Sequence, residues 1–362
     1  MDELHNLFSI YQMVQFIMET EGFAPSEFLS RNLFPASTEV IAKEIVMDVE
    51  KGSRPFAPFV TELSEGTMVR NKGYETTTIE PPNITTYMPT TAADVFSRQP
   101  GMVPFMQGMS GLDLAEMRLG KDMDYQMRMH RRTIEVMASQ AIIDGKVIVK
   151  GVGVNAEINF GRSLSHEYSL LGSDAWNATA TSNPMEDIRV WKEQIREDEG
   201  LDADMLIMSG DVVQYFINHP KIKDNLTDKD QAKLTGFVEL SFEQRQQGVD
   251  YIGRILGIDI YSYNNWYQTR VGSTLTNTPF IPSGTVVMCV SGANSQNATH
   301  YASVYDLKAA KQGLPNPLDV PMFSKAWENE NPSALYVMVK SRPCVVMKRP
   351  DSTVKAVVLD LP

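Results

Sequence analysis

The chain has 362 residues, of which 43% are hydrophobic and 22% charged, and its formal net charge is -12. This composition allows a sizeable core and argues against a dedicated nucleic-acid binder, which would concentrate positive charge. No apolar stretch is long enough for a membrane helix, and the acidic start Met1-Asp2-Glu3 is unlike a signal peptide. Cys289 and Cys344 lie in strand-like apolar runs, so we expect buried free thiols.

The first ninety residues contain a short helical pattern and then a long extended stretch. Helical spacing of apolar residues within 1–20 predicts a terminal helix that is docked on a partner or loosely ordered. Residues 37–91 are rich in Thr and Val, with few apolar side chains to offset the entropy of ordering. Such a segment is expected to bury itself against another molecule. Gly66 and Gly73 predict a hairpin with a mobile tip within Thr61–Ile79.

The strongest helical pattern covers residues 112–143, after a loop rich in Gly, Pro and Met at 92–110. One stripe runs along this helix and is formed by Met123, Met127, His130, Ile134, Met137 and Ala141. His130 is therefore expected to be a packed core or interface residue, whereas Glu135 and the nearby arginines lie off the stripe. Gly120 predicts a weak point at which the helix breaks or starts.

A hairpin is predicted within Lys146–Phe160, turning at Gly151-Val152-Gly153. The same glycines match a loose dinucleotide-binding pattern, but that motif needs a helix to follow, and here a strand-like alternation follows. The remaining predicted elements are a helix after Asn183-Pro184, a strand at 204–208, a helix ending near His219-Pro220, a polar loop at 221–235, strands about 255–263 and 285–290, and three strands within 334–361. This mixture favours an α+β or α/β organisation.

The common signatures of catalysis and metal binding are missing from the sequence. It contains no phosphate-binding loop, no G-x-S-x-G nucleophile turn and no Cys/His cluster with zinc spacing. The acidic pairs Asp122-Met123-Asp124 and Asp202-Ala203-Asp204 are not followed by calcium-loop spacing. We therefore predict no catalytic, cofactor-binding or metal-binding residue and a protein that is not an enzyme. A catalytic set assembled only in three dimensions would escape this search.

Three segments together resemble the lambda-type major capsid proteins of tailed bacteriophages, the capsid protein E family. The first is Phe28–Pro35 with Thr38-Glu39-Val40. The second is Val154–Arg162, followed by Trp176 and the helix start at 183–188; its Asn159 stands where the family has an acidic residue. The third runs from Tyr336 to Val358. The order and spacing of these segments carry the resemblance, and residues 200–320 carry least of it.

The resemblance implies the Hong Kong 97-like capsid fold, which is of the α+β class. Its parts would be an N-terminal arm at 1–36, an extended loop at 37–91, a peripheral domain at 92–182 with the spine helix 112–143, an axial domain at 183–320, and return strands of the peripheral domain at 321–362. It implies a structural major capsid protein that self-assembles into pentamers and hexamers, forming the icosahedral head of the virion around double-stranded DNA. Assembly would take place in the bacterial cytoplasm, with no membrane.

The implied partners are further copies of the chain, a decoration protein, a scaffold, a portal and packaged DNA held by non-specific contact. The expected inter-subunit contacts are Arg54, Arg70, Lys72, Tyr74 and Phe34, and the charged ones either meet carboxylates on an adjacent subunit or stay solvated. The candidates to face DNA are Arg128, Arg131 and Arg132, with a solvated helix face as the alternative. Two other functions remain open, an encapsulin-like cargo shell and a cytosolic α/β enzyme.

Overall fold

The computed structural model describes residues 27–41, 44–49, 75–91, 111–151, 153–225, 248–271, 274–311, 321–330 and 333–360. The helices are α1 (Phe28–Leu33), α2 (Gly111–Asp144), α3 (Pro184–Glu199), α4 (Gly210–Asn218), α5 (Pro220–Asn225), α6 (Gly292–Ser295) and α7 (Leu307–Lys311). The strands are β1 (Ala36–Ile41), β2 (Ile45–Val49), β3 (Glu75–Ile79), β4 (Ile84–Thr91), β5 (Lys146–Gly151), β6 (Val154–Asn159), β7 (Glu167–Ser169), β8 (Met205–Met208), β9 (Val249–Ile255), β10 (Ile258–Tyr263), β11 (Trp266–Val271), β12 (Thr274–Pro279), β13 (Thr285–Cys289), β14 (Ala298–Ala302), β15 (Met322–Glu330), β16 (Ser333–Ser341), β17 (Pro343–Val346) and β18 (Thr353–Val357).

The long helix α2 has 34 residues and is roughly 50 Å long. The predicted helix is confirmed, and Met123, Met127 and His130 on its stripe are buried. The predicted break at Gly120 is wrong. Leu119 and Met123, on either side of this glycine, pack with β15 and β16, so tertiary contacts outweigh the cost of one glycine, about 1 kcal/mol.

A six-stranded sheet in the order β7-β18-β13-β8-β10-β9 forms the centre of the described subunit. Its strand β8 is buried on both faces because its side chains alternate between two cores. Leu206 and Met208 pack with α3 and α4, whereas Met205 and Ile207 join the core that contains α2. The sheet therefore lies between α2 on one side and α3 with α4 on the other.

Two smaller sheets lie beside α2 and α1. The sheet β15-β16-β4 packs Val337 and Val339 against the N-terminal half of α2. The sheet β1-β14-β17 follows directly from α1, because β1 begins at Ala36 and pairs in parallel with β14. Buried residues of α1 and of β17 belong to the same core, so elements far apart in the sequence pack together there.

The segment 37–91 is not a separate arm along its whole length. β1 pairs with β14, and β4 pairs with β16 in continuous register from Ile84↔Ser341 to Thr91↔Ala334. Between them, β2 and β3 pair antiparallel from Ile45↔Ile79 outward, as the two sides of a hairpin would. The predicted hairpin tip, the helix at 1–20 and the loop at 92–110 lie outside the described residues.

Several other predicted elements are confirmed and a few are corrected. The hairpin β5–β6, the helix α3 and the three C-terminal strands form as expected, although Asn183 makes no side-chain cap for α3. The predicted polar loop at 221–235 begins as helix α5, and the hairpin β11–β12 was not predicted. β18 joins the six-stranded sheet rather than β15 and β16, and β17 joins β14, so the strands of 321–362 belong to three sheets.

Two glycines give a matched test of this packing. A Cβ at Gly120 would meet no atom within 4 Å, whereas a Cβ at Gly292 would lie 2.5 Å from the Leu33 carbonyl oxygen. Gly120→Ala should raise the free energy of unfolding by about 0.5–1 kcal/mol, because alanine favours helix. Gly292→Ala should lower it by about 2–3 kcal/mol, because α6 and α1 must move apart.

Urea denaturation of unassembled subunits measures both glycine variants. Equal effects of the two substitutions would contradict the close approach of α6 to α1.

Candidate functional site

The N-terminal end of α1 is attached to the rest of the subunit by a carboxylate from a distant helix. α1 has six residues, no acidic residue in its first turn and no side-chain cap from Glu27. Glu135 of α2 takes that role: the Leu29 N–H donates to its Oε1 at 2.7 Å, and the Ser30 N–H donates to Oε2 at 2.9 Å. A negative charge at this position satisfies free amides and the positive end of the helix dipole.

A tyrosine from the central sheet completes this arrangement. The Tyr263 hydroxyl on β10 donates to Oε1 of Glu135 at 2.9 Å, and its ring lies 5.6 Å from the Phe28 ring. We call Leu29, Ser30, Glu135 and Tyr263 the Glu135 junction. It joins α1, α2 and β10, and both Glu135 and Tyr263 are buried.

The Glu135 junction can change charge near neutral pH. Burial raises the pKa of Glu135 to about 7, although the hydrogen bonds from Ser30, Leu29 and Tyr263 act in the opposite direction. Burial and the Glu135 charge raise the pKa of the Tyr263 hydroxyl, so Tyr263 stays a donor. Because the pKa of Glu135 is raised, its contribution to stability is present at low pH and is lost as pH rises through about 7.

A line of buried polar contacts fixes β4 on α2. Asp122, Gln126 and His130 follow one another at intervals of four along the helix, facing Thr90 and Thr86. We call these five residues the polar seam. Thr90 Oγ1 donates to Asp122 Oδ2 at 3.0 Å, Thr86 Oγ1 donates to Gln126 Oε1 at 2.9 Å, and Thr86 Oγ1 lies 3.0 Å from His130 Nε2.

The polar seam also reaches the next strand and stays uncharged at its histidine. Gln126 Nε2 donates to the Val337 carbonyl oxygen at 3.3 Å, and the Val339 N–H donates to Gln126 Oε1 at the same distance. Burial lowers the pKa of His130 to about 4, so the ring is neutral at physiological pH. The paired groups of the polar seam favour one register of β4 and β16 on α2, and His130 Nδ1 is a buried nitrogen without a hydrogen-bond partner in the described part of the chain.

The innermost pair of the hairpin β2–β3 is buried in the same core as α1. Ile45 and Ile79 are 2% and 6% exposed and are direct partners. Just beyond Ile79, Glu80 lies 3.8 Å from the guanidinium of Arg342, which follows β16. We call Ile45, Ile79, Glu80 and Arg342 the loop root. It holds the two ends of segment 50–74 together on the subunit.

The turn at Asn159-Phe160-Gly161-Arg162 fastens the other end of α2. Asn159 Oδ1 accepts the Gly161 N–H at 2.9 Å, so the amide serves as an acceptor at the position where we expected an acidic residue. The Arg162 guanidinium donates to the carbonyl oxygens of Ile142 and Ile143, each at 2.6 Å, and to Glu167. Arg162 thereby satisfies carbonyl groups at the C-terminal end of α2.

The structure places the predicted contact residues in different environments. Phe34 is 1% exposed and belongs to the core of its own subunit, so the prediction of an inter-subunit contact through this ring is corrected. Arg128 and Arg132 are exposed and Arg131 is half-buried, and Arg128 pairs with Asp124 at 2.5 Å. The other predicted contacts lie outside the described residues: Arg54, Arg70, Lys72 and Tyr74.

Sequence reasoning placed Glu135 off the apolar stripe of α2 and gave no sign that it is buried. The side chain is fully buried because α1 and β10 cover a second face of the helix. The polar seam had a usable signal, since Asp122, Gln126 and His130 recur every four residues beside the apolar stripe. In the described parts of the chain, no His, Cys, Asp and Glu side chains group as metal ligands would, and no helix is long and apolar enough to span a membrane.

Comparison with known proteins gives one family. A model of the family described as phage major capsid protein E matches residues 18–358. The chain is 22% identical to the major capsid protein of Enterobacteria phage P21 over 319 residues, which cover 86% of this chain and 88% of that protein. The P21 prophage-derived major head protein of Escherichia coli O6:H1 is similar to the same extent.

Solved structures show the same fold at low sequence identity. A protein assigned as a prophage capsid protein of Escherichia coli CFT073 has a TM-score of 0.61 and 20% identity, covering 79% of each chain. A phage-related protein from Bordetella bronchiseptica has a TM-score of 0.54 and 14% identity over 94% of this chain and 95% of that one. The mature capsid of bacteriophage PhiM1 has a TM-score of 0.51 and 14% identity, covering 94% and 89%.

The titration of Glu135 predicts a difference between the wild-type chain and Glu135→Gln. The wild-type free energy of unfolding, relative to the variant, should fall by about 3 kcal/mol between about pH 4.5 and pH 8, because burying the ionised carboxyl is costly. Urea denaturation of unassembled subunits at several pH values measures this. Glu157→Gln, which removes an exposed carboxyl on β6, is the control and should show no such trend.

If the free energy of unfolding changed with pH in the same way for wild type and Glu135→Gln, Glu135 would have the same pKa in the folded and the unfolded chain. The account of the Glu135 junction would then be wrong.

Proposed function

The chain belongs to the phage major capsid protein E family, and we propose that copies of it form the pentamers and hexamers of an icosahedral phage head around double-stranded DNA. It is a structural capsid shell protein with the Hong Kong 97-like α+β fold, so the predicted family and fold are confirmed. The predicted non-enzymatic character agrees with this family. Its place is the virion; we propose that assembly occurs in the cytoplasm of the bacterial host.

The observation that carries the proposal is the loop root. Residues 50–74 connect β2 to β3 in the sequence, and the buried pair Ile45 and Ile79 anchors these two strands in the core of the subunit. β4, which follows the loop, is fixed on α2 by the polar seam. A pull on the loop from a neighbouring subunit would therefore be transmitted to the longest helix of this subunit. Contacts between unlike surfaces of identical subunits close into rings, as capsomers require.

We assign the parts of the capsid fold to the described elements as follows. α2 is the spine helix, and the sheet β15-β16-β4 lies on it as part of the peripheral domain. The six-stranded sheet with α3 and α4 forms the greater part of the axial domain. This sheet also contains β7 and β18, which lie outside residues 183–320. We therefore propose domain boundaries that follow the sheets, in place of the predicted boundaries 183–320 and 321–362.

The remaining partners stay predictions. They are a decoration protein, a scaffold and a portal, together with packaged DNA. For DNA, the sequence-based candidates are Arg128, Arg131 and Arg132 on α2, with a helix face that does not contact DNA as the alternative. Asp124 neutralises part of this charge by pairing with Arg128. An encapsulin-like cargo shell would need the same subunit contacts; the family match favours a phage head.

Assembly is tested by expressing the full chain and a variant that lacks Ser64–Gly73. Electron microscopy should show closed shells for the wild-type chain and far fewer shells for the deletion variant. The deletion shortens the loop that we propose contacts the neighbouring subunit. Light scattering of the same samples separates subunits from particles. A wild-type chain that stays a compact monomer would contradict the shell, whereas normal shells from the deletion variant would contradict only the role of the loop.

The loop charges are tested separately by reversing Arg70 and Lys72 to glutamate. Shell yield should fall, and should fall more at low salt, because screening weakens charge pairs at a distance. The exchange of Arg70→Lys and Lys72→Arg keeps both charges and is the matched control. An unchanged yield in the reversed variant would leave these side chains solvated, as the alternative interpretation holds.

A further inference from the structure

A strip of exposed side chains along α2 combines positive charge with large apolar groups. It consists of Lys121, Tyr125, Arg128, Met129 and Arg132, which we call the α2 strip. Their spacing by three and four places them on one side of the helix, opposite the apolar stripe. Tyr125 is 53% exposed and Met129 is 40% exposed, and the side chain of Arg128 is 62% exposed.

The composition of the α2 strip favours a protein partner over nucleic acid. Phosphates would be met by the cations alone and would leave Tyr125 and Met129 in water. An exposed tyrosine and an adaptable methionine, flanked by cations, match a helix that has an apolar face and acidic ends. Asp124 also reduces the positive charge offered at Arg128, which weakens the case for phosphate.

The chain itself contains a segment with the complementary chemistry. Residues 1–26 include no Lys or Arg, and their acidic residues lie near the two ends of the helical pattern: Asp2, Glu3, Glu19 and Glu21. Between these ends, apolar side chains recur at helical spacing: Leu4, Leu7, Phe8, Tyr11, Val14, Ile17 and Met18. Ile10, Met13 and Phe16 add apolar groups on the other faces. Thus an acidic and apolar segment is available for a basic and apolar strip.

The first described residue after this segment lies near one end of the α2 strip. Glu27, the first described residue, lies close to Arg131 and Arg132: burial raises the pKa of Glu27, and these two charges oppose the shift. Residues 121–132 span about 16 Å along α2, and residues 4–18 in helical form would span about 21 Å. Gly22 and Pro25 lie between the two and suit a turn, so the segment can reach the strip without a long linker.

We propose that residues 4–18 dock as a largely apolar helix along the α2 strip of their own chain. Tyr125 and Met129 pack among the apolar side chains of the segment. Glu19 and Glu21 lie near Arg132, and Asp2 and Glu3 lie toward Lys121. This docking does not depend on the proposed capsid function, because it takes place within one subunit.

Disulfide trapping in the full-length chain tests the docking. The pair Val14→Cys with Met129→Cys should form a disulfide under mild oxidation, and the product should be a monomer of altered mobility in non-reducing gels. The native thiols Cys289 and Cys344 are buried and do not interfere. The matched control is Val14→Cys with Val190→Cys, since Val190 is 43% exposed on α3 and should crosslink slowly.

Two outcomes of the trapping experiment would overturn the proposal. Covalent dimers or ladders would mean that the segment docks on a second copy. A trapping rate no greater than that of the control would mean that it does not dock on the strip at all.

Charge reversal separates this proposal from a DNA-binding face. Arg128→Glu with Arg132→Glu should slow trapping at least about threefold, and adding Glu19→Lys with Glu21→Lys should restore it in part. Binding of a duplex DNA probe to purified subunits should not depend on Arg128 and Arg132. If the reversed arginines abolished binding of a duplex DNA probe and left trapping unchanged, the strip would be a DNA-facing surface and the proposal would be wrong.

Discussion

The attachment of α1 to the rest of this subunit depends on the burial of one carboxyl group. Glu135 is removed from water at a free-energy cost, and three donors from two other elements offset that cost. α1 is too short to be stable alone, so it forms where the Glu135 carboxyl satisfies its amides. Because β1 follows α1 directly, the position of α1 also sets where the chain enters the loop.

α2 connects the other parts of the molecule because its sides have different chemistry. The apolar stripe packs on sheets, the polar seam fixes β4, Glu135 holds α1, and the α2 strip offers the surface on which we propose that residues 4–18 dock. A rod with these attachments transmits force between a loop on one side and a sheet on the other. This arrangement suits a shell protein, whose function is to keep its shape while neighbours pull on it.

Local periodicity was enough to predict α2, the hairpin β5–β6 and the C-terminal strands. The strand pairing within residues 37–91 was harder to predict, because β1 and β4 pair with strands more than two hundred residues away. No local pattern distinguishes such a strand from an extended arm. The burial of Glu135 was missed for a related reason: one helical repeat does not report that a second face is covered by α1 and Tyr263. Phe34 was expected at an interface although its ring completes the core beside Leu33.

A cryo-electron microscopy reconstruction of shells assembled from the full chain tests the central claim most directly. The account predicts that residues 50–74 contact an adjacent subunit, while Glu135 still accepts the amides of α1 and the polar seam still holds β4 on α2. A reconstruction in which the loop folds onto its own subunit, or in which α1 has separated from Glu135, would contradict it.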